Sequence, residues 1–197
     1  MTAPQDRLFT AVQGIASLHE DPALVTDEPR MLAAAGALMA DLVAHDDWLP
    51  AAMAEPHPQF YRQYLLYGDP LERFSMVSFV WGPGQATPIH NHTVWGIIAM
   101  LRGAEYAQRY VLGGGAPRAE GGELRLEPGQ IECVSPTIGD VHRVRNAFDD
   151  RVSISIHLYG GNIGRIRRAV FDENTGVEKP FVSGYSNALV PNLWGAS

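Results

Sequence analysis

The sequence predicts a mainly β domain, a barrel or sandwich, covered on one side by N-terminal helices. Three observations carry this prediction. From about Gln59 the chain breaks into short segments rich in Val, Ile, Tyr and Phe, separated by WGPG, LGGG, EGGE and EPGQ, the punctuation of many short strands. The first fifty residues lack that texture and follow helical spacing instead. The 197 residues, 46% apolar and 19% charged, suit one compact unit able to bury a core of its own.

The elements follow in order. Arg7 to Leu18 places apolar residues at 8, 9, 12, 15 and 18, an amphipathic helical stripe. Asp27-Glu28-Pro29 reads as a helix start, with acids and a proline in the first turn, and MLAAAGALMADLVAH continues it until Asp46, Asp47 and Pro50. Strands are predicted near 59–66, 73–81, 94–101, 104–111, 123–126, 130–135, 142–146 and 152–159, with a Gly-rich turn at 113–115. The expected organisation is a single domain over 1–197: a helical layer over 1–50, a barrel core over 59–172 and a C-terminal extension over 173–197.

Composition excludes several function classes. A formal net charge of -7 with no basic stripe leaves nothing to neutralise a run of phosphates, so no nucleic-acid partner is expected. Cys133 is the sole cysteine, which rules out an intrachain disulfide and a thiolate zinc cluster. In QIECVSP, alternation would bury Cys133 as an inert core thiol. Asp6 interrupts the stretch where an export signal needs apolar residues, and no apolar run reaches the roughly 18 residues of a membrane helix. A cytoplasmic protein without membrane contact is the expectation.

Of the seven histidines, His19, His45 and His57 sit beside acids or prolines and are expected to be solvated. His90 and His92 share PIHNH. Alternate side chains of an extended strand share a face about 7 Å apart, so both imidazoles can converge on one ion. Alone, that spacing also fits a merely polar strand face. Around it stand Gly84, Gly96 and Gly103, and further on Gly139-x-x-His142-x-x-x-Asn146. These resemble, in order and separation, the paired signature motifs of the cupin (double-stranded β-helix) superfamily, in which the second motif supplies a third histidine. Most cupins carry a glutamate ligand where this chain has Gly96. Its absence leaves three neutral imidazoles, a centre that favours an anionic ligand such as a thiolate.

VSISIHLYGG alternates strictly from residue 152. Val152, Ile154, Ile156 and Leu158 take one face, and Ser153, Ser155, His157 and Tyr159 the other. If the polar face looked outward this would be an ordinary solvated strand. If inward, Ser155, His157 and Tyr159 would form a hydrogen-bonded relay at the metal.

With TPIHNHTVWGIIAMLRG, IGDVHRVRN and SISIHLY in place, the chain resembles the cysteine dioxygenase family of thiol dioxygenases from about Tyr61 to Asp172. The resemblance implies iron(II) on His90, His92 and His142, a catalytic Ser155, His157 and Tyr159 triad, and oxidation of a small thiol-carboxylate to its sulfinate by O2. It also bears on the substrate. Gln63 stands where the animal enzymes carry a carboxylate-binding arginine, with Arg62 on the other face. Gly96 stands where they carry the cysteine cross-linked to tyrosine, and Gly160-Gly161 where they have Ser-Pro. These departures resemble the bacterial 3-mercaptopropionate dioxygenases, in which Arg168 of GRIRRAVFD would bind the carboxylate. By residue type alone Arg168 would more often be a surface charge. L-Cysteine remains the alternative substrate, and a non-oxidative metal-dependent cupin or small-anion-binding module the more distant one. The missing glutamate speaks against the former of these two and the relay against the latter. Trp95 and Glu105 could line the pocket or simply pack, and the oligomeric state is left open.

Overall fold

The computed structural model describes residues 4–193. Three helices come first: α1 (Pro4–Leu18), the single turn α2 (Pro22–Val25) and α3 (Glu28–Val43). Helix α3 starts where its sequence dictates. The Asp27 side chain accepts the Arg30 N–H at 3.2 Å, with Pro29 in the first turn. Its stripe of Met31, Leu32, Ala35, Met39, Leu42 and Val43 is buried. Helix α1 begins earlier than the predicted Arg7, and α2 is an addition too short for periodicity to reveal.

Eleven strands follow among the described residues: β1 (Arg62–Gly68), β2 (Ser75–Trp81), β3 (Ile89–His90), β4 (Gly96–Arg102), β5 (Glu105–Val111), β6 (Arg118–Leu126), β7 (Ile131–Val134), β8 (His142–Asn146), β9 (Ser153–Tyr159), β10 (Arg168–Phe171) and β11 (Glu178–Phe181). They form two antiparallel sheets, ordered β1-β2-β9-β4-β7 and β11-β10-β3-β8-β5-β6. This is a cupin double-stranded β-helix with an N-terminal helical layer. Strands β3, β10 and β11 were not predicted. The first has two residues, and the others lie among charges and prolines that mask alternation. Strand β6 is also longer than predicted, because its first half, RAEGG, is exposed and polar.

The chain crosses from one sheet to the other between β4 and β5 at Gly103, whose φ is +73°. A Cβ there would lie 2.3 Å from Ser153 Oγ, so both the backbone conformation and the space demand glycine. Outside the five-stranded sheet, α1 and α3 pack against Ile97, Ala99, Ile154, Ile156 and Leu158. Strands β2 and β9 are consequently buried along their whole length. No helix among the described residues is long and apolar enough to cross a membrane.

The expected C-terminal extension does more than trail from the barrel. Strand β11 extends the six-stranded sheet, and Ser186 and Asn187 then bond to β1. Asn187 both accepts from the Leu65 N–H and donates to the Leu65 carbonyl. Residues 194–197 of that extension lie outside the described residues.

Candidate metal centre

Register brings two distant histidines together. His90 on β3 and His142 on β8 are directly paired across the sheet, and His92 lies just beyond the end of β3. The three ring centroids form a nearly equilateral triangle with sides of 4.9, 4.8 and 4.8 Å. One ligand nitrogen from each lies within 4.8 Å of the others. All three rings are buried.

The surroundings set the tautomers. His90 Nδ1 lies 3.0 Å from the Pro88 carbonyl, and His92 Nδ1 3.0 Å from Asp140 Oδ1. Both partners can only accept, so each Nδ1 carries a hydrogen, which leaves Nε2 as the nitrogen each ring can offer to a metal. Asp140 also accepts the backbone N–H groups of His92 and Thr93 at 2.8–3.0 Å, which fixes the loop. Burial, then the neighbouring imidazoles, hold His90 and His142 well below the usual histidine range. His142 Nδ1 is buried without a hydrogen-bond partner. Buried imidazole nitrogens gathered at one point are the donor set a metal ion requires, and the three residues fit one.

The polar face of β9 turns inward, which settles the open orientation of that strand. Tyr159 Oη lies 2.8 Å from His157 Nδ1, and His157 Nε2 lies 2.9 Å from Ser155 Oγ. Ser155 in turn reaches Glu105 Oε2 at 2.9 Å and receives Trp81 Nε1–H at 3.2 Å. Burial pushes the Tyr159 phenol up and the His157 imidazole well down, so both are neutral near pH 7. The Tyr159 ring stacks on His92 at 5.4 Å.

Gly96 has a local physical reason. It pairs with Tyr159 across β4 and β9, and a Cβ there would lie 2.9 Å from Tyr159 Cδ1. Any side chain at this position would collide with the tyrosine ring.

A cavity of about 220 Å³ opens onto the three histidines, His157 and Tyr159. Its walls include Tyr61, Phe79, Val144, Val170 and Phe181, and among the described residues no carboxylate lines it. Arg168 enters this cavity rather than solvent. It is 5% exposed, donates to Ser183 Oγ at 2.7 Å, sits 4.6 Å over the Phe181 ring and leaves Nε without a partner. Burial lowers its pKa, partly offset by Tyr159 and Tyr61. Gln63 lines the same cavity, but its amide N–H groups go to Ser183 Oγ and the Gly184 carbonyl. Those donors tie down the C-terminal segment.

Several residues stand elsewhere than the sequence suggested. His19 is half-buried and only partly solvated: it stacks on Phe74 at 5.4 Å and on Trp95 at 6.2 Å, and burial lowers its pKa. Trp95 packs against the helical side and does not line the cavity, and Glu105 lies one step behind its wall. Cys133 is half-buried, with burial raising its thiol. Sequence reasoning missed Asp140, Ser183 and Trp81. Only Asp140 left a signal, as a carboxylate two residues before a ligand histidine in IGDVH. Asn146 of the second motif is structural, donating to the Trp81 and Gly82 carbonyls.

No family model matches the chain. Over 137 residues it is 26% identical to cysteine dioxygenase type 1 of Danio rerio, covering 66% of this chain and 64% of that protein. The match therefore spans less than two thirds of the relative's length. Among solved structures, the TT1209 protein of Thermus thermophilus is 19% identical with a TM-score of 0.45, over 56% of this chain and 92% of its own. A double-stranded β-helix protein from Klebsiella pneumoniae is 18% identical with a TM-score of 0.44, over 57% and 87%. The chain is a cupin barrel with a buried three-histidine metal-binding site, similar over part of its length to cysteine dioxygenase type 1.

Proposed function

We propose that the protein is an iron(II)-dependent thiol dioxygenase whose preferred substrate is 3-mercaptopropionate. One observation supports this above the rest: a single small cavity is bounded by three bare imidazoles, an oriented phenol and one incompletely paired guanidinium. Iron(II) on His90, His92 and His142 would stabilise the substrate as its thiolate and offer open positions for O2. The net change, RS⁻ + O2 → RSO2⁻, places both oxygen atoms on sulfur.

The chain's own groups do the positioning. Arg168 binds the carboxylate through a charge-assisted bond, and its free Nε gives it the capacity. Tyr159, stacked on His92, held by His157 and within reach of the Arg168 charge, supplies a hydrogen-bond donor where charge develops. The aromatic and aliphatic walls exclude water and strengthen both contacts. These roles assign substrate binding to Arg168, with Gln63 as its supporting wall, and catalysis to Ser155, His157 and Tyr159 acting together.

Substrate preference follows from what the cavity lacks. An α-ammonium group would enter a wall with no carboxylate and face the Arg168 charge, at the cost of desolvation without a partner. A thiol-carboxylate without an amine avoids that cost. The name of the Danio rerio relative favours L-cysteine as the second reading.

Oxygen uptake by iron-loaded protein, with 3-mercaptopropionate and L-cysteine side by side, tests both levels. The expected result is a higher kcat/KM for 3-mercaptopropionate, lowered in Arg168→Ala through KM by roughly 2–5 kcal/mol. No uptake with either thiol would sink the dioxygenase reading. A higher kcat/KM with cysteine would transfer the preference.

A further inference from the structure

Ser155 holds a position with no freedom in its hydrogen bonds. Its hydroxyl has one hydrogen to give and two lone pairs to fill, and its three neighbours are Trp81 Nε1, Glu105 Oε2 and His157 Nε2. Trp81 can only donate. Of the other two, one must therefore donate to Ser155 and the other must accept from it. The constraint passes along the chain, because a neutral imidazole that donates at one nitrogen accepts at the other.

Two arrangements satisfy it. With Glu105 ionised, Ser155 donates to Glu105, His157 Nε2–H donates to Ser155, and the Tyr159 O–H donates to the bare His157 Nδ1. With Glu105 protonated, its O–H donates to Ser155, Ser155 donates to His157 Nε2, and His157 Nδ1–H donates to Tyr159. The phenolic hydrogen then points into the cavity. The two differ by one proton. A proton arriving at Tyr159 Oη from the cavity passes the phenolic hydrogen to His157 Nδ1, the Nε2 hydrogen to Ser155 and the Ser155 hydrogen to Glu105.

We infer that Glu105 is the inner terminus of this relay, a positioning residue whose protonation state decides whether the Tyr159 hydrogen faces the cavity or His157. Only the catalytic consequence rests on the proposed dioxygenase function, and the hydrogen-bond logic is independent of it. Glu105 is 1% exposed and its carboxyl meets Ser155 at 2.9 Å. Burial foremost, with Glu132 adding repulsion, pushes its carboxyl up to about 7, against the lowering by Ser155 and Trp81. The other charged or titratable groups facing it are Glu132 on β7, which Arg109 of β5 partly neutralises at 3.3 Å, and His157 and Tyr159 of the relay.

The test reads the His157 tautomer by long-range ¹H–¹⁵N NMR in the full-length, zinc-loaded, diamagnetic protein, without thiol or oxygen. As pH rises from about 5.5 to about 8.5, the wild-type ring should change from Nδ1–H to Nε2–H while staying neutral. Glu105→Gln, which cannot titrate, should show no such change. Should that variant fail to fold, Ser155→Ala keeps Glu105 but cuts the chain, and it too should abolish the change. A single wild-type tautomer across this window, or a change persisting in either variant, would overturn the assignment. In iron-loaded protein, wild-type kcat/KM with 3-mercaptopropionate should fall about tenfold as pH rises through neutrality, the weight of one hydrogen bond, and Glu105→Gln should lack that fall. A tautomer change in a protein that consumes no oxygen supports Glu105 as relay terminus and overturns the dioxygenase reading alone.

Discussion

The five-stranded and six-stranded sheets enclose the same cavity, yet they are stabilised differently. Helices α1 and α3 cover the first, and its central strands β2 and β9 are buried on both faces. The outer face of the second is ordered by exposed ion pairs such as Arg145–Glu123 at 2.7 Å and Arg143–Glu173 at 2.6 Å. The relay hangs from the covered sheet, whereas His90, His142 and Arg168 come from the open one. Because the apolar face of β9 is packed against helices, its inner face is free to carry Ser155, His157 and Tyr159. In a small barrel an inner face is ordinarily the core. Here the largest apolar cluster of the covered sheet lies on its outer, helix-facing side, and smaller clusters around Phe79 and around Met100 share the inside with the polar groups of β9.

That contrast can be broken from either side. Ile156→Ala, on the helix-facing side of β9 and fully buried, should cost about 2–5 kcal/mol in urea unfolding. Tyr159→Phe, on the inner side of the same strand, should cost about 1 kcal/mol and keep the metal, while slowing thiol turnover by roughly 100-fold. Equal stability losses in the two variants would mean that both faces serve as core.

The buried carboxyl behind the relay, carried by β5 of the open sheet, makes stability sensitive to pH. Glu105 is raised from its ordinary 4.5 to about 7 in the fold, so the folded protein holds this proton more tightly than the unfolded chain. Its contribution to stability is fully present below about pH 4.5 and is lost as pH rises to about 7, on the order of 3 kcal/mol. Glu105→Gln should flatten the stability profile over that window. A profile unchanged by the substitution would show that the carboxyl is solvated in the fold.

On the open sheet the expected effects concern binding more than folding. His142→Ala should weaken metal binding by about 100-fold or more in a calorimetric titration, with about 1 kcal/mol lost from the stability of the metal-free protein. The smallest effect belongs to the outer ion pairs. Arg145→Ala removes a pair whose side chains are both 41% exposed, together with a contact over the Tyr106 ring. It should cost about 0.5–1 kcal/mol, less at high salt. A larger loss would mean that the six-stranded sheet depends on this ladder.

Much of the fold was legible because local pattern and burial agree. Helix α3 shows its start in Asp27-Glu28-Pro29 and its buried stripe at helical spacing, and β9 shows both of its faces in strict alternation. Strands β3, β10 and β11 were not legible, since two residues carry no period and charged neighbours hide it. In the site, HxH and Gly-x-x-His were readable as motifs, while Asp140, Ser183 and Trp81 were not. Each of those three acts through a partner far away in sequence, and no local pattern records such a pairing.

The sequence by itself determined the chemistry available: three histidines at cupin spacing, a Ser-His-Tyr alternation, one candidate guanidinium and no thiolate cluster. Tertiary structure decided how that chemistry is pointed. The alternation of β9 is equally consistent with a polar face inward or outward, and only the packing of α1 and α3 on Ile154, Ile156 and Leu158 selects inward. Arg168 by residue type reads as a surface charge, and becomes a cavity residue because β10 pairs with β3 beside His90. Glu105 was an unassigned acid until the chain's turn at Gly103 carried it onto the second sheet, opposite Ser155. Residue type fixes what a side chain can donate or accept. Which groups it meets depends on contacts between segments tens of residues apart, and these form only when the two sheets assemble around the cavity.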